Sequence, residues 1–261
     1  MTKYLMSSNL LQSRMEKLFN EGFTARDIAE PLFSFDADKP AKDVREFMLI
    51  NNLDVVGIRN DGIVTGYVEP EDLADGRCGD YEHRYDEGTV LNLSSSYRDV
   101  IVCLDRSKYC FVSLLGNVGG VITRNDIQKP PVRMWLFGMV TILEMIITRT
   151  LKEKYEDSSW QTELSANRLN KAIKLQEERK RRNQHVDLLD CLPLSDKAQI
   201  LMKDPDRRAD AGYESMREAE QGIRAFESLR NNLAHAHDIV TYDWDAIISV
   251  TRGLEKIVAR V

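Results

Sequence analysis

Residues 66–73 read GYVEPEDL and residues 120–127 read GVITRNDI, a match at an offset of 54. Each copy holds a Gly, then Glu69 or Thr123 three residues on, then Asp72 or Asp126 three further. Working outward, Asp43-Val44 matches Asp99-Val100 and the run 55–58 matches 111–114, both at an offset of 56. The change from 56 to 54 predicts a turn two residues tighter in the second copy. Short β-branched runs at 55–58, 63–68, 100–104, 111–115 and 118–123 read as strands, punctuated by the Asn-Asp-Gly turn at 60–62 and the Gly-Asn turn at 116–117. Each copy therefore reads helix, strand, turn, strand, then a corner that opens a helix. The first half is expected to be α+β.

The chemistry of the corner follows from its spacing. A hydroxyl at the strand end and a carboxylate in the first turn of a helix share one edge, beside the free N–H groups of the helix start. Such a corner can cap its own helix, which is the simpler reading. It can equally hold a ribose, with Asp126 accepting from the 2′- and 3′-hydroxyls while the Thr123 hydroxyl and the helix N-terminus face a phosphate. Two such copies in tandem resemble a pair of CBS domains (the cystathionine β-synthase motif), and GGVITRNDI at 119–127 closely matches that family's signature. The resemblance spans roughly residues 30–130. It implies a pseudo-twofold module with two clefts that bind an adenine nucleotide or a related small ligand, here through Thr123 and Asp126. In the first copy Glu69 stands where the Thr belongs, and a carboxylate facing a phosphate repels it. One competent cleft is thus expected, with Asp72 a partial contributor to the other.

Length and charge frame the rest. At 261 residues two domains are expected, and 43% hydrophobic with 30% charged residues excludes a disordered or collagen-like chain. Pro130-Pro131 places the boundary, with an N-terminal helix and the repeat in 1–130 and a helical domain in 131–261. The first part carries 15 basic and 21 acidic side chains and the second 21 of each, so neither binds nucleic acid by bulk charge. The local basic run 174–182 (KLQEERKRR) reads as a solvated helix face. The four cysteines have no close pairs and no metal-ligand spacing with the four histidines, so neither a metal site nor a disulfide framework is signalled. The start of the chain shows no secretory signal, and the apolar run 134–147 (MWLFGMVTILEMII) is short for a bilayer and carries Glu144. It reads as a buried helix in a cytoplasmic protein without membrane contact.

After 131, helical periodicity runs between turn signals at 157–159, 192–195, 204–206 and 238–243, which gives an all-α half of about five helices. The fourth, from Gly212, sets Met216, Ala219, Ile223, Phe226 and Leu233 on one stripe. The pattern continues onto Arg230 and His237, so Arg230 is expected to point towards the core, where it needs a carboxylate, a phosphate or an opening to solvent. Around it the chain reads LRNNLAHAH (229–237). Histidine takes and gives a proton near neutral pH and arginine forks onto a phosphate, a pair suited to cleaving a phosphodiester by its own 2′-hydroxyl without a metal. The competing reading is structural: an Arg salt-bridged across a helical interface and two histidines at a helix C-terminus, where the dipole favours imidazolium.

This motif resembles that of the HEPN superfamily, all-helical domains found in many nucleases, whose signature is Arg, a polar residue, then His after four to six intervening residues. Arg230-Asn231 with His235 meets the four-residue form, and His237 the six-residue form. The resemblance implies a metal-independent homodimeric ribonuclease with RNA as substrate and two motifs face to face, the apolar stripe serving as the dimer seam. His235 would be the general acid or base, Arg230 would stabilise the phosphorane-like transition state, and Asn231 would orient the two. His237 is the alternative, since a continuing helix puts it about 20° from Arg230 and His235 about 140° away, whereas a helix ending before Asp238 favours His235. His185 reads as a surface residue or an aid to holding RNA, His83 has no evident partner, and Trp135, Trp160 and Trp244 read as core anchors. The expected function is a CBS pair that senses an adenine nucleotide and controls an HEPN ribonuclease, with no cofactor required for catalysis. The other reading is a non-catalytic regulatory or scaffold protein that binds nucleotide and dimerises or holds a partner through its helical half.

Overall fold

The computed structural model describes residues 21–155 and 157–258. The expected N-terminal helix falls in 1–20, outside the described residues. The chain divides into two compact units between Arg133 and Met134.

The first unit is α+β. Its elements are β1 Glu30–Pro31, β2 Ser34–Asp36, α1 Ala41–Ile50, β3 Val56–Asn60, β4 Ile63–Val68, β5 His83–Arg84, β6 Val90–Asn92, α2 Tyr97–Arg106, β7 Tyr109–Leu114 and β8 Asn117–Thr123. Two sheets run in the orders β1-β8-β7-β6 and β2-β3-β4-β5. In each, the entering strand pairs parallel with the first hairpin strand, Ser34 opposite Gly57 and Val90 opposite Phe111. The outer strands are exchanged. β1 precedes the first copy yet joins the second copy's sheet, with Pro31 opposite Gly120, and β5 precedes the second copy yet joins the first's, with Arg84 opposite Gly66. The 3-10 turns ahead of them cross in the same way, Ala25 N donating to Ser95 O and Cys78 N to Lys39 O, both at 2.8 Å. Each copy thus covers an edge of the other that would otherwise lie open. Between the sheets, Tyr67, Tyr85, Tyr109 and Phe111 pack ring on ring, the closest centroids 4.6 Å apart, among Leu32, Val55, Val118 and Val121.

The repeat is more regular than the sequence match implies. Val56 faces Val68 as Cys110 faces Ile122, a bulge follows Ile58 as it follows Val112, and both turns are two residues long, Asp61-Gly62 and Leu115-Gly116. The offset is 54 throughout the hairpin, so the second turn is not tighter. The two missing residues come out of the stretch between the helix end and the equivalent strand positions Val56 and Cys110, residues 51–55 in the first copy against 107–109 in the second. Residues 100–104, expected as a strand, belong to α2. Ser96 Oγ accepts from Asp99 N and Asp99 Oδ2 accepts from Ser96 N, a capping box that commits the β-branched run to a helix burying Val100, Ile101 and Leu104.

The second unit is all helix. It takes most of α3 Pro130–Lys154 and then α4 Ala166–Arg181, α5 Leu194–Met202, α6 Pro205–Asp210, α7 Met216–Ala234 and α8 Val240–Val258. That is six helices among the described residues rather than five, because the stretch expected as one helix from Gly212 starts only at Met216, capped by Ser215, and α6 stands apart behind its Asp204 cap and Pro205. Its core gathers Ile147, Leu151, Trp160, Leu189, Leu201 and Ile223 among others. By length and composition α3 is the one helix among the described residues able to cross a membrane. The helix expected to be buried is so along one side, through Trp135, Leu136, Met139, Val140, Ile142 and Ile147, while Met134, Phe137 and Met145 are exposed and Glu144 lies 3.7 Å from the buried ammonium of Lys197 on α5. Trp135 and Trp160 are core anchors, whereas Trp244 is half-buried.

Candidate functional site

The corner of the second copy opens a short 3-10 turn, Arg124–Gln128, rather than a full helix. Asp126 is buried and its carboxylate is engaged on both sides. Oδ2 accepts from Thr123 N at 2.7 Å and from Thr123 Oγ1 at 3.0 Å, while Oδ1 pairs with Lys129 Nζ at 2.9 Å. Thr123 lines a cleft of about 470 Å³ together with Asp54, Asp105, Arg106, Ser107, Lys108, Tyr109, Arg124 and Asn125. Asp126 is not among the lining residues: it fixes the strand end that presents Thr123.

The lining sets Arg106, Lys108 and Arg124 against Asp54 and Asp105, with Lys108 already paired to Glu69 outside the lining. Arg124 spends part of its guanidinium on Leu104 O, at the C-terminal end of α2, through Nε at 3.1 Å and Nη2 at 3.0 Å. Tyr109 is buried and its hydroxyl donates to Asp54 O at 3.1 Å; burial pushes its pKa up, so it remains a neutral donor. Lys108 sits over the Tyr109 ring at 5.0 Å and pairs with Glu69 Oε2 at 2.9 Å. Tyr109 and then Glu69 hold its ammonium above the ordinary lysine range.

The first copy is arranged differently at the equivalent positions. Glu69, in the place of the hydroxyl, faces Lys108 and is four-fifths buried. Asp72 Oδ2 accepts from Glu69 N at 3.3 Å and pairs with His83 Nε2 at 2.8 Å. His83 therefore has a partner, one that sequence did not supply because the exchanged strand β5 brings it in, and its ring also lies 5.4 Å from Tyr67.

In the second unit, α7 ends at Ala234 with His235 as its C-cap and Ala236 in the left-handed region at φ 55°. His237 lies beyond the helix, so the six-residue alignment along a continuing helix is not realised. Arg230 is exposed, not core-facing, and forms no ion pair or hydrogen bond among the described residues. The reason is the drift of the buried face: Leu229 and Leu233 take it over late in the helix, and Arg230 falls about 100° and 60° to their side, respectively. Ala219, Ile223 and Leu233 are buried as expected, while Met216 and Phe226 are only partly so. Asn231 is exposed, and its side chain makes no hydrogen bond among the described residues. The rings of His235 and His237 lie 5.8 Å apart, both exposed. Asn232 reaches His237: its Oδ1 is 3.3 Å from His237 Nδ1, and its Nδ2 donates to Asp243 Oδ2 at 2.7 Å. His185 is exposed beside the basic run.

No protein-family model and no curated protein matches the chain. Solved structures do. CBSX2 in complex with AMP is 17% identical and covers 40% of this chain and 92% of its own, at a TM-score of 0.36. The CBS domains of a transcriptional regulator from Streptococcus pneumoniae are 18% identical over 40% of this chain and 96% of theirs, at 0.36. The CBS domain of a bacterial CNNM/CorC family Mg2+ transporter in complex with ATP is 12% identical over 46% and 94%, at 0.38.

Sequence reasoning missed Arg106 and Lys108 in the cleft and Asn232 and Asp243 beside the histidines. Arg124 and Asn125 were within sight, since they sit inside the Thr123 to Asp126 corner. Arg106 and Lys108 flank the helix-to-strand connection, and only its shortening by two residues, misassigned to the turn, marked it out.

Proposed function

We propose that the protein is a metal-independent ribonuclease of HEPN type, active in the cytoplasm as a homodimer and controlled by an adenine nucleotide in the cleft at Thr123. The observation that carries the nuclease half is an exposed guanidinium at Arg230, without an ion pair among the described residues, on the last turns of the helix that His235 caps and that His237 closely follows. An exposed guanidinium presents a planar fork of donors that matches the oxygens of a phosphate. The cleft supports the sensing half: a neutral Tyr109, the Thr123 hydroxyl and three basic side chains suit a nucleoside phosphate.

In the reaction, the 2′-oxygen of the substrate attacks the adjacent phosphorus while its proton passes to one imidazole. The P–O5′ bond breaks, and the leaving 5′-oxygen takes a proton from an imidazole of the second copy. The products are a 2′,3′-cyclic phosphate and a 5′-hydroxyl end. Arg230 holds the non-bridging oxygens as charge gathers on them. Asn231 orients the groups, and His235 or His237 moves the proton. In the cleft, Thr123 and Arg106 contact the phosphate, and Asp126 serves by holding Thr123 in place. Asp72, tied to His83, contributes little to the other cleft.

The test is incubation of the full chain with a mixed structured RNA in EDTA, with and without AMP or ATP, beside Arg230→Ala. Cleavage with cyclic-phosphate ends, lost in the variant and altered by nucleotide, is the expected result. Intact RNA under every condition would leave a nucleotide-binding scaffold.

A further inference from the structure

The side chains joining α7 to α8 extend this nuclease reading to one histidine and its positioning. Asp243 is 2% exposed and lies where α8 kinks, at φ −122° and ψ 16°. A carboxylate only accepts hydrogen bonds, so the amide that meets it at 2.7 Å must present its nitrogen, and Asn232 is oriented with Nδ2 towards Asp243. Its oxygen is then the atom facing His237 Nδ1 at 3.3 Å. An amide oxygen only accepts, so Nδ1 must carry the proton. Asn232 O also accepts from His237 N at 3.0 Å, which fixes the backbone of the same residue. Around this turn Ala236 adopts φ 55° and Asp238 caps α8 through Val240 N at 2.8 Å, so the loop holding His237 is pinned at both ends.

We infer that Asn232, backed by the buried carboxylate of Asp243, is a positioning residue that holds His237 with Nδ1 protonated and Nε2 as its accepting atom. The proton-transfer role then falls to His237 rather than His235. The ring of His235 has no such partner among the described residues; its nearest aromatic neighbour is His237 itself. Fixing the tautomer defines which ring nitrogen is the basic one, as proton abstraction from a 2′-hydroxyl requires.

Two readouts on the full chain test this. The first is the 15N resonances of the histidine rings in protein labelled at histidine, above the pH at which His237 becomes neutral. Wild type should show His237 with a protonated Nδ1 and Asn232→Ala a shift towards protonated Nε2; the same tautomer mixture in both would overturn the inference. The second is cleavage of the same RNA in EDTA. His237→Ala and Asn232→Ala should each lose at least about tenfold in rate at saturating RNA while His235→Ala loses less. Full activity in His237→Ala overturns the inference and leaves the nuclease reading intact. No cleavage by wild type, with the tautomer fixed as stated, overturns the nuclease reading and leaves the positioning of His237 standing. Should Asn232→Ala fail to fold, Asp243→Asn serves instead, because an amide there no longer dictates which way Asn232 faces; an unchanged tautomer in that variant overturns the role of Asp243.

Discussion

Single residues decide what each corner can offer. Thr123 and Glu69 occupy equivalent positions, 54 residues apart, yet the first offers a hydroxyl to a cleft and the second a carboxylate already paired with Lys108 at 2.9 Å. Thr123→Glu would convert the second corner to the first. It would add a negative charge beside the proposed phosphate site and remove the hydroxyl that Asp126 orients. Calorimetric titration with AMP should show affinity reduced at least about tenfold, the loss of one charge-assisted contact; unchanged affinity would take Thr123 out of the ligand site. Arg106 makes no ion pair or hydrogen bond among the described residues and is exposed at the cleft wall. Its replacement by Ala should weaken ATP about tenfold and adenosine hardly at all, because the guanidinium meets phosphate and not base. A ligand weakened equally with and without its phosphates would contradict that placement.

At the scale of elements, the corner and the hairpins were legible because their signals are local. A Gly, a hydroxyl and a carboxylate at fixed spacing specify a strand end and a cap whatever surrounds them. The segment 100–104 was misread for the converse reason, since its β-branched residues favour a strand and the cap that overrules them, Ser96 with Asp99, lies outside the run. Arg230 was misread because an ideal helical stripe ignores the change of packing partner along α7 that brings Leu229 and Leu233 to the buried face. The equivalence of the hairpins also exposes a weak point. In the first turn Asp61 and Gly62 take positive φ, 50° and 82°, and in the second Leu115 and Gly116 do, 53° and 85°. Leucine is a poor residue there, since its Cβ meets its own carbonyl in the left-handed region and its side chain is 94% exposed with nothing to pack against. Leu115→Asn should therefore stabilise the first unit by about 0.5–1 kcal/mol in chemical denaturation. A loss of stability would mean that the leucine makes contacts the isolated chain does not show.

For the whole molecule, the proposed binding in one unit and the proposed chemistry in the other would make a sensor only if free energy passes between them. Thermodynamic linkage makes this testable without knowing the path. If a nucleotide changes the affinity for RNA by some factor, RNA must change the affinity for that nucleotide by the same factor. RNA carrying 2′-O-methyl riboses lacks the attacking hydroxyl and so binds without being cut. Titrating wild-type protein with AMP, alone and then saturated with this RNA, should reveal a change in nucleotide affinity of about five- to 150-fold, the usual range of coupling between sites. The reverse titration must return the same factor. An unchanged AMP affinity would mean that nucleotide binding does not alter RNA binding, and any control would then have to act on the chemical step alone. That remaining case has its own signature, a cleavage rate at saturating RNA that responds to AMP while both affinities stay fixed. If neither affinity nor rate responds, the two halves share a chain without sharing a function.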